Sequence, residues 1–125
     1  MIPFMSDVKV IGGARVLFLG AVPGGGGASD LVGAALEGGA QWVALPAIGL
    51  PSGFLDLSTG VAGEIAQKCV NYRIGLAVLG DLSASAARSA ALHDWMRESN
   101  QGHHVWFLAD EGELASRLAA RGGSR

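Results

Sequence analysis

The sequence predicts an α/β domain: a small mixed sheet entered through an N-terminal β-hairpin, with helices packed on it. Three observations carry this. Val8-Lys9-Val10-Ile11 and Arg15-Val16-Leu17-Phe18-Leu19 are short β-rich runs separated by Gly12-Gly13-Ala14, the composition of a tight antiparallel turn. After the hairpin, segments of helical periodicity alternate with short apolar runs, the pattern of strands joined by helices. Ile74-Gly75-Leu76-Ala77-Val78-Leu79 is apolar at successive positions rather than alternate ones, as a central parallel strand buried on both faces requires.

The remaining elements follow in order. Residues 20–27 are glycine-dominated and hold no regular structure; Gly24-Gly25-Gly26-Gly27 reads as a loop or lid of high backbone freedom. Ser29 or Asp30 can cap a short helix carrying Leu31, Val32, Ala35 and Leu36, which Gly38-Gly39 stops. Trp42-Val43-Ala44-Leu45 is a buried strand ended by Pro46. Ser58 or Thr59 suits the N-cap of a second helix reaching about Tyr72, with Val61, Ile65, Cys69 and Tyr72 on its apolar stripe and Glu64, Gln67, Lys68 and Asn71 opposite.

Gly80-Asp81-Leu82-Ser83 leaves the central strand. The alanine-rich residues 84–100 read as one helix with Ala84, Ala87, Ala91, Leu92, Trp95 and Met96 inward, ending at Gly102. His104-Val105-Trp106-Phe107-Leu108 is the last strand. Asp110 and Glu113 have capping-box spacing before a final helix that carries Leu114 and Leu118 inward and Arg117 and Arg121 toward its negative end. The three tryptophans are expected to fill the core.

A chain of 125 residues is one domain with one core and room for one site, ordered over about residues 7–120 with a flexible tail at 121–125. Half of it is hydrophobic, only 16% is charged and the mean hydropathy is +0.36, more apolar surface than so small an interior hides, so a homodimer is expected. The net charge of -2 offers no basic field for a phosphate backbone, which argues against nucleic acid. The single Cys69 excludes an intramolecular disulfide and fits a reducing, cytoplasmic setting; no apolar run is long enough to span a membrane.

The polar residues that a small core does not need gather at residues 56–73. At the start of the second helix, backbone N–H groups at residues 60–62 and the positive end of the helix dipole favour an anion beside Ser58, Thr59 and Gly60. Plain N-capping explains one of those hydroxyls equally well. Glu64 and Lys68 stand four apart in the favourable order for a solvated ion pair. Asp81 leaves the sheet at the edge where open α/β domains gather ligands, although Asp81 or Ser83 can equally cap the helix that follows. If the site is catalytic, Glu64 and Asp81 are its acid or base, provided burial raises a carboxyl pKa toward neutrality.

Other chemistry finds little footing. His103 and His104 are adjacent and on a strand point to opposite faces, and His93 has Arg97 rather than a ligand at i+4, so no metal is expected. Cys69 falls on an apolar stripe, as an inert core thiol does. The glycine run lacks the Gly-Lys-Ser/Thr ending of a phosphate loop, so no nucleotide or other cofactor is implied.

In Thr59-Gly60-Val61-Ala62-Gly63-Glu64, Gln67-Lys68 and Asn71-Tyr72-Arg73, then Gly80-Asp81-Leu82-Ser83 and Arg97-Glu98-Ser99-Asn100, the chain resembles a small bacterial family described as domain of unknown function 4180. It departs from that family in the four glycines, where members carry charged and serine residues. Its order of elements is also similar to the STAS and SpoIIAA-like architecture of anti-sigma-factor antagonists. There a loop Ser or Thr opens the helix after a central strand and is phosphorylated in many members; Ser58 and Thr59 occupy the equivalent place.

The expected function is a non-catalytic, STAS-like binding or regulatory module that recognises a protein partner or small ligand through Ser58, Thr59, Gly60, Glu64, Lys68, Asn71, Asp81 and Ser83. Phosphorylation at Ser58 or Thr59 would switch it. The alternative is a small cofactor-independent isomerase or cyclase that folds an apolar substrate beneath the glycine lid.

Overall fold

A computed structural model describes residues 7–22 and 27–123. The chain forms β1 (Asp7–Ile11), β2 (Ala14–Phe18), α1 (Ala28–Gly38), β3 (Trp42–Pro46), α2 (Val61–Tyr72), β4 (Gly75–Leu79), α3 (Ser83–Ala87), α4 (Ala90–Gln101), β5 (Val105–Leu108) and α5 (Glu111–Gly123). One five-stranded sheet has the order β1-β2-β3-β4-β5, antiparallel in the hairpin and parallel from β2 onward. The small α/β class with a mixed sheet and an N-terminal hairpin is therefore the fold.

Gly12 and Gly13 make the two-residue hairpin turn at φ 57° and 90°, the left-handed region that such turns demand. Gly12 is required twice over, because a Cβ there would lie 2.7 Å from the Ala115 carbonyl oxygen of α5. Strand order equal to chain order has a further effect. Right-handed crossovers that always step to the next strand in the same direction put every connecting helix on one face.

The packing follows that rule. Leu31, Val32 and Ala35 of α1 and Ala62, Ile65 and Cys69 of α2 join Leu17, Val43, Leu45, Leu76, Val78 and Phe107 in one core, with Trp95 and Met96 of α4 against it. The opposite face is left to α5, whose Leu114 and Leu118 pack on Val16, Trp42, Ala44, Ala77 and Trp106. Each fully buried Leu or Val contributes roughly 1.5–3 kcal/mol, so both faces matter to stability.

Several expected details change. Gly27, not Ser29 or Asp30, is the N-cap of α1, while Gly39 ends it in the left-handed conformation. Residues 84–100 are two helices, because the Ser89 hydroxyl accepts from the Leu92 amide and starts α4 afresh; Ala84, Ala87 and Ala91 are exposed. Ala62 replaces Tyr72 on the buried stripe of α2, and Tyr72 is half exposed. Helix α5 continues to Gly123, past the point where a tail was expected. Of the expected glycine lid, residues 24–26 lie outside the described residues, and Gly27 caps α1.

Candidate functional site

The loops that follow β3 and β4 lie at the same edge of the sheet. A Cβ on Gly80 would sit 3.0 Å from the Ala47 Cβ, so the two exits touch. Farther out, Phe54 is 1% exposed and its ring lies 6.0 Å from that of Trp95, which packs edge-on against Phe107 at 5.4 Å. This aromatic chain holds residues 51–60 against α4. Beside it, between residues 53–56 and the α3–α4 junction, opens a groove of about 410 Å³ lined by Gly53, Leu55, Asp56, Ser85, Arg88 and Ser89.

The polar residues of the first loop satisfy one another. A single 3-10 turn, Leu57–Thr59, precedes α2, and the Asp56 carboxylate accepts from both the Ser58 hydroxyl (2.6 Å) and the Ser58 amide (3.1 Å). Those bonds hold the exposed Asp56 below the ordinary carboxylate pKa, the Ser58 side chain contributing most. The Thr59 hydroxyl stands 2.7 Å from the Gly53 carbonyl oxygen and 2.8 Å from that of Asp56, to which it can donate, and it accepts from the Val61 amide at 3.2 Å.

Gly60, at φ 82°, is the N-cap of α2 in place of Ser58 or Thr59. Its amide donates to the Leu57 carbonyl at 3.2 Å and the Val61 amide donates to Thr59, so two of the three amides expected to receive an anion are already used. The Ser58 hydroxyl faces a carboxylate. In this arrangement the Gly60 and Val61 amides and the Ser58 hydroxyl are engaged within the chain.

The exposed face of α2 also differs from expectation. Glu64 is exposed and makes no ion pair with Lys68; the Lys68 ammonium lies 5.9 Å from the Tyr72 ring centroid instead. Gln67 donates to the Asn71 side-chain oxygen at 3.0 Å. Asp81 is exposed and accepts from the Ser83 amide at 2.9 Å, closing the turn that leads into α3; the N-cap is Leu82, without a side-chain cap bond, so neither Asp81 nor Ser83 stands at the cap position expected of it. Hydrogen bonds from the Ser83 side chain and amide lower the Asp81 pKa, contrary to the raised value a general acid needs.

Ser58, Thr59 and Gly60 thus belong to the same sheet edge as Asp81 and Ser83, while Glu64, Lys68 and Asn71 run away from it along α2. Sequence reading missed Phe54, Arg88 and Ser89. Ser89 carried a signal, a good N-cap three residues ahead of an apolar Leu92, which alanine-rich surroundings masked. Arg88 carried none.

No group of three or more possible metal ligands occurs among the described residues. Cys69 is fully buried and desolvation pushes its thiol up to about 12, the environment of an unreactive core cysteine. No helix among those residues is long and apolar enough to cross a membrane.

Fold and site together define a small α/β domain with its loops gathered at the strand ends. The profile of the family described as Domain of unknown function (DUF4180) matches residues 22–118, more than three quarters of the chain, and the chain belongs to that family. No curated protein and no solved structure matches it.

Proposed function

We propose that the chain is a non-catalytic binding module whose groove between residues 53–56 and 85–89 docks a protein partner. The observation that carries this reading is that the loop after β3 and the α3–α4 junction build one open groove in which Asp56 is held by Ser58, the Gly53 carbonyl by Thr59 and the Ser89 hydroxyl by the Leu92 amide. Such a surface is prearranged, so little ordering entropy opposes docking. Ile48, 94% exposed beside Ala47, gives the same edge an apolar anchor.

Regulation by phosphorylation centres on Ser58 rather than Thr59. The Ser58 hydroxyl is exposed and bonded only to Asp56, whereas Thr59 ties the loop together at three points. A phosphate on Ser58 adds up to two negative charges beside the Asp56 carboxylate, breaks that bond and offers new acceptors next to the groove that Asp56 lines together with Arg88.

The isomerase or cyclase alternative draws less support. The clefts at the two ends of the sheet are open to solvent, and neither Glu64 nor Asp81 is buried. We extend the binding reading to a cytoplasmic homodimer. Val10 on edge strand β1 is 71% exposed, near Val8 at 41%, and Val8 lies against the end of α1, where Leu36 is 52% exposed. A second copy covering this patch would remove an apolar surface and an open sheet edge together.

Affinity capture from a lysate of the source cells tests the docking surface, using wild type, Ile48→Asp and Arg88→Ala. A protein retained by the wild type and lost from both folded variants is the expected result. Equal retention by all three overturns the groove reading. Light scattering on wild type and Val10→Lys tests the dimer, which the substitution is expected to dissociate; a monomeric wild type overturns it.

A further inference from the structure

The opposite edge of the sheet, where β2 to β5 begin, holds a larger cleft of about 600 Å³ with Gln41, Trp42, Arg73, His103, His104 and Arg121 in its lining. No described carboxylate lines it, although the chain carries 11 acidic residues against nine Lys and Arg. His103 and His104 precede β5 instead of lying in it, which is how adjacent histidines expected to diverge come to line one cleft.

Arg73 is the informative member. Helices α1 and α2 end in the same left-handed conformation, with the cap amide bonded back to the last turn, at φ 69° in Gly39 and φ 59° in Arg73. Glycine reaches that conformation without the conflict between Cβ and backbone that any L side chain meets. Arg73 is the only non-glycine residue at positive φ among the described residues, and its exposed guanidinium has no hydrogen bond or ion pair with any of them. Strain retained for a side chain with no partner among the described residues points to a role outside the fold.

Gln41 is a second, independent pointer. Its side-chain oxygen accepts from the Arg15 amide at 2.9 Å, which fixes the orientation of the carboxamide and leaves its NH2 donors with no partner among the described residues. The lining thus presents a guanidinium fork, two imidazoles that each keep at least one N–H, and a fixed amide donor. Val70 and Ile74 on the α2 side of the sheet, and Leu118 on the α5 side, supply apolar lining.

We propose that this cleft, distinct from the partner groove, binds a small phosphate monoester. The phosphate oxygens would be received by Arg73, Gln41 and the histidines, and the organic part would lie toward the apolar lining. Several donor side chains in the lining of one cleft, with no described carboxylate among them, suit a dianion with several acceptor oxygens, and the planar guanidinium suits a tetrahedral oxyanion through paired bonds. The volume falls in the range of small-molecule sites and exceeds what inorganic phosphate alone fills.

Titration of the full-length protein, isotope-labelled for amide NMR, with phenyl phosphate tests this, with succinate and benzyl alcohol as controls. Saturable shifts clustered at residues 12–14, 41–42, 73–75 and 103–104 are expected with phenyl phosphate, together with at least tenfold weaker binding in Arg73→Gly. That variant relieves the left-handed strain, so its thermal midpoint is expected to equal or exceed that of the wild type. Shifts that fail to saturate by about 10 mM, tenfold above a millimolar Kd, overturn the proposal. So do equal binding of succinate, or unchanged binding in the folded Arg73→Gly.

Discussion

The Trp42 and Trp106 rings meet at 4.3 Å across the strand that separates them. They reach one another because Gly75, the register partner of Trp42 on the intervening β4, has no side chain: a Cβ there would lie 2.3 Å from the Trp42 ring. Arg117 lies 4.1 Å over the Trp106 ring and donates to the Asn100 carbonyl, so α5 is keyed to the indole pair through a cation as well as through its leucines.

Gly75→Ala should therefore be costly although it adds one methyl group. The indole has to move within a packed face, and overpacking of this kind costs about 1–3 kcal/mol. Urea unfolding followed by tryptophan fluorescence measures it. A control, Gly63→Ala on the exposed side of α2, meets no atom within 4 Å and should stabilise the protein.

The acid limb of the stability curve should report Asp56 and Asp81. Both carboxyls have pKa values lowered below the ordinary 3.8 by hydrogen bonds from Ser58 and Ser83 respectively. A depressed folded-state pKa contributes stability that is complete above the unfolded value and is lost as pH falls through the folded one. Thermal melts from neutral pH down through this region should decline more gently in Asp56→Asn and Asp81→Asn than in wild type.

Cys69 should be silent toward thiol reagents in the native protein. Complete burial and a thiol pushed up to about 12 leave almost no accessible thiolate at neutral pH. Modification by a chromogenic disulfide reagent should be immediate in guanidinium chloride and, in buffer, should proceed only through opening of α2. Rapid native labelling would contradict this placement.

Ser89→Ala should lower stability by about 1 kcal/mol, the usual loss at an N-cap. The hydroxyl that accepts from Leu92 is what separates α4 from α3. Denaturant midpoints for Ser89→Ala and Ser89→Asp should differ, with aspartate retaining the cap and most of the stability.

The sheet and its helices, apart from the break between α3 and α4, were legible in the sequence because each depends on local pattern. The apolar run at β4, the paired glycines of the hairpin and the glycine after α1 each leave a mark that needs no knowledge of the rest of the chain. The second helix was placed correctly and its cap was not. Ser58 and Thr59 are good caps by residue type, but Asp56 and the buried Phe54 draw the preceding turn into a 3-10 geometry that spends both hydroxyls before α2 begins. Asp81 was located at the correct edge, whereas its exposure depends on packing that no local window contains. Arg73 stood in a recognised run, yet only coordinates reveal that it holds a conformation suited to glycine.

Agreement between strand order and chain order also shapes how the molecule can come into being. Every parallel neighbour is one crossover away, so the sheet can grow by accretion as the chain leaves the ribosome, with little need for distant segments to find each other. Trp42 is the exception to this orderly growth. It is synthesised early but gains its indole partner and its covering helix only with the final third of the chain, which leaves one side of the nascent sheet bare until synthesis is nearly complete.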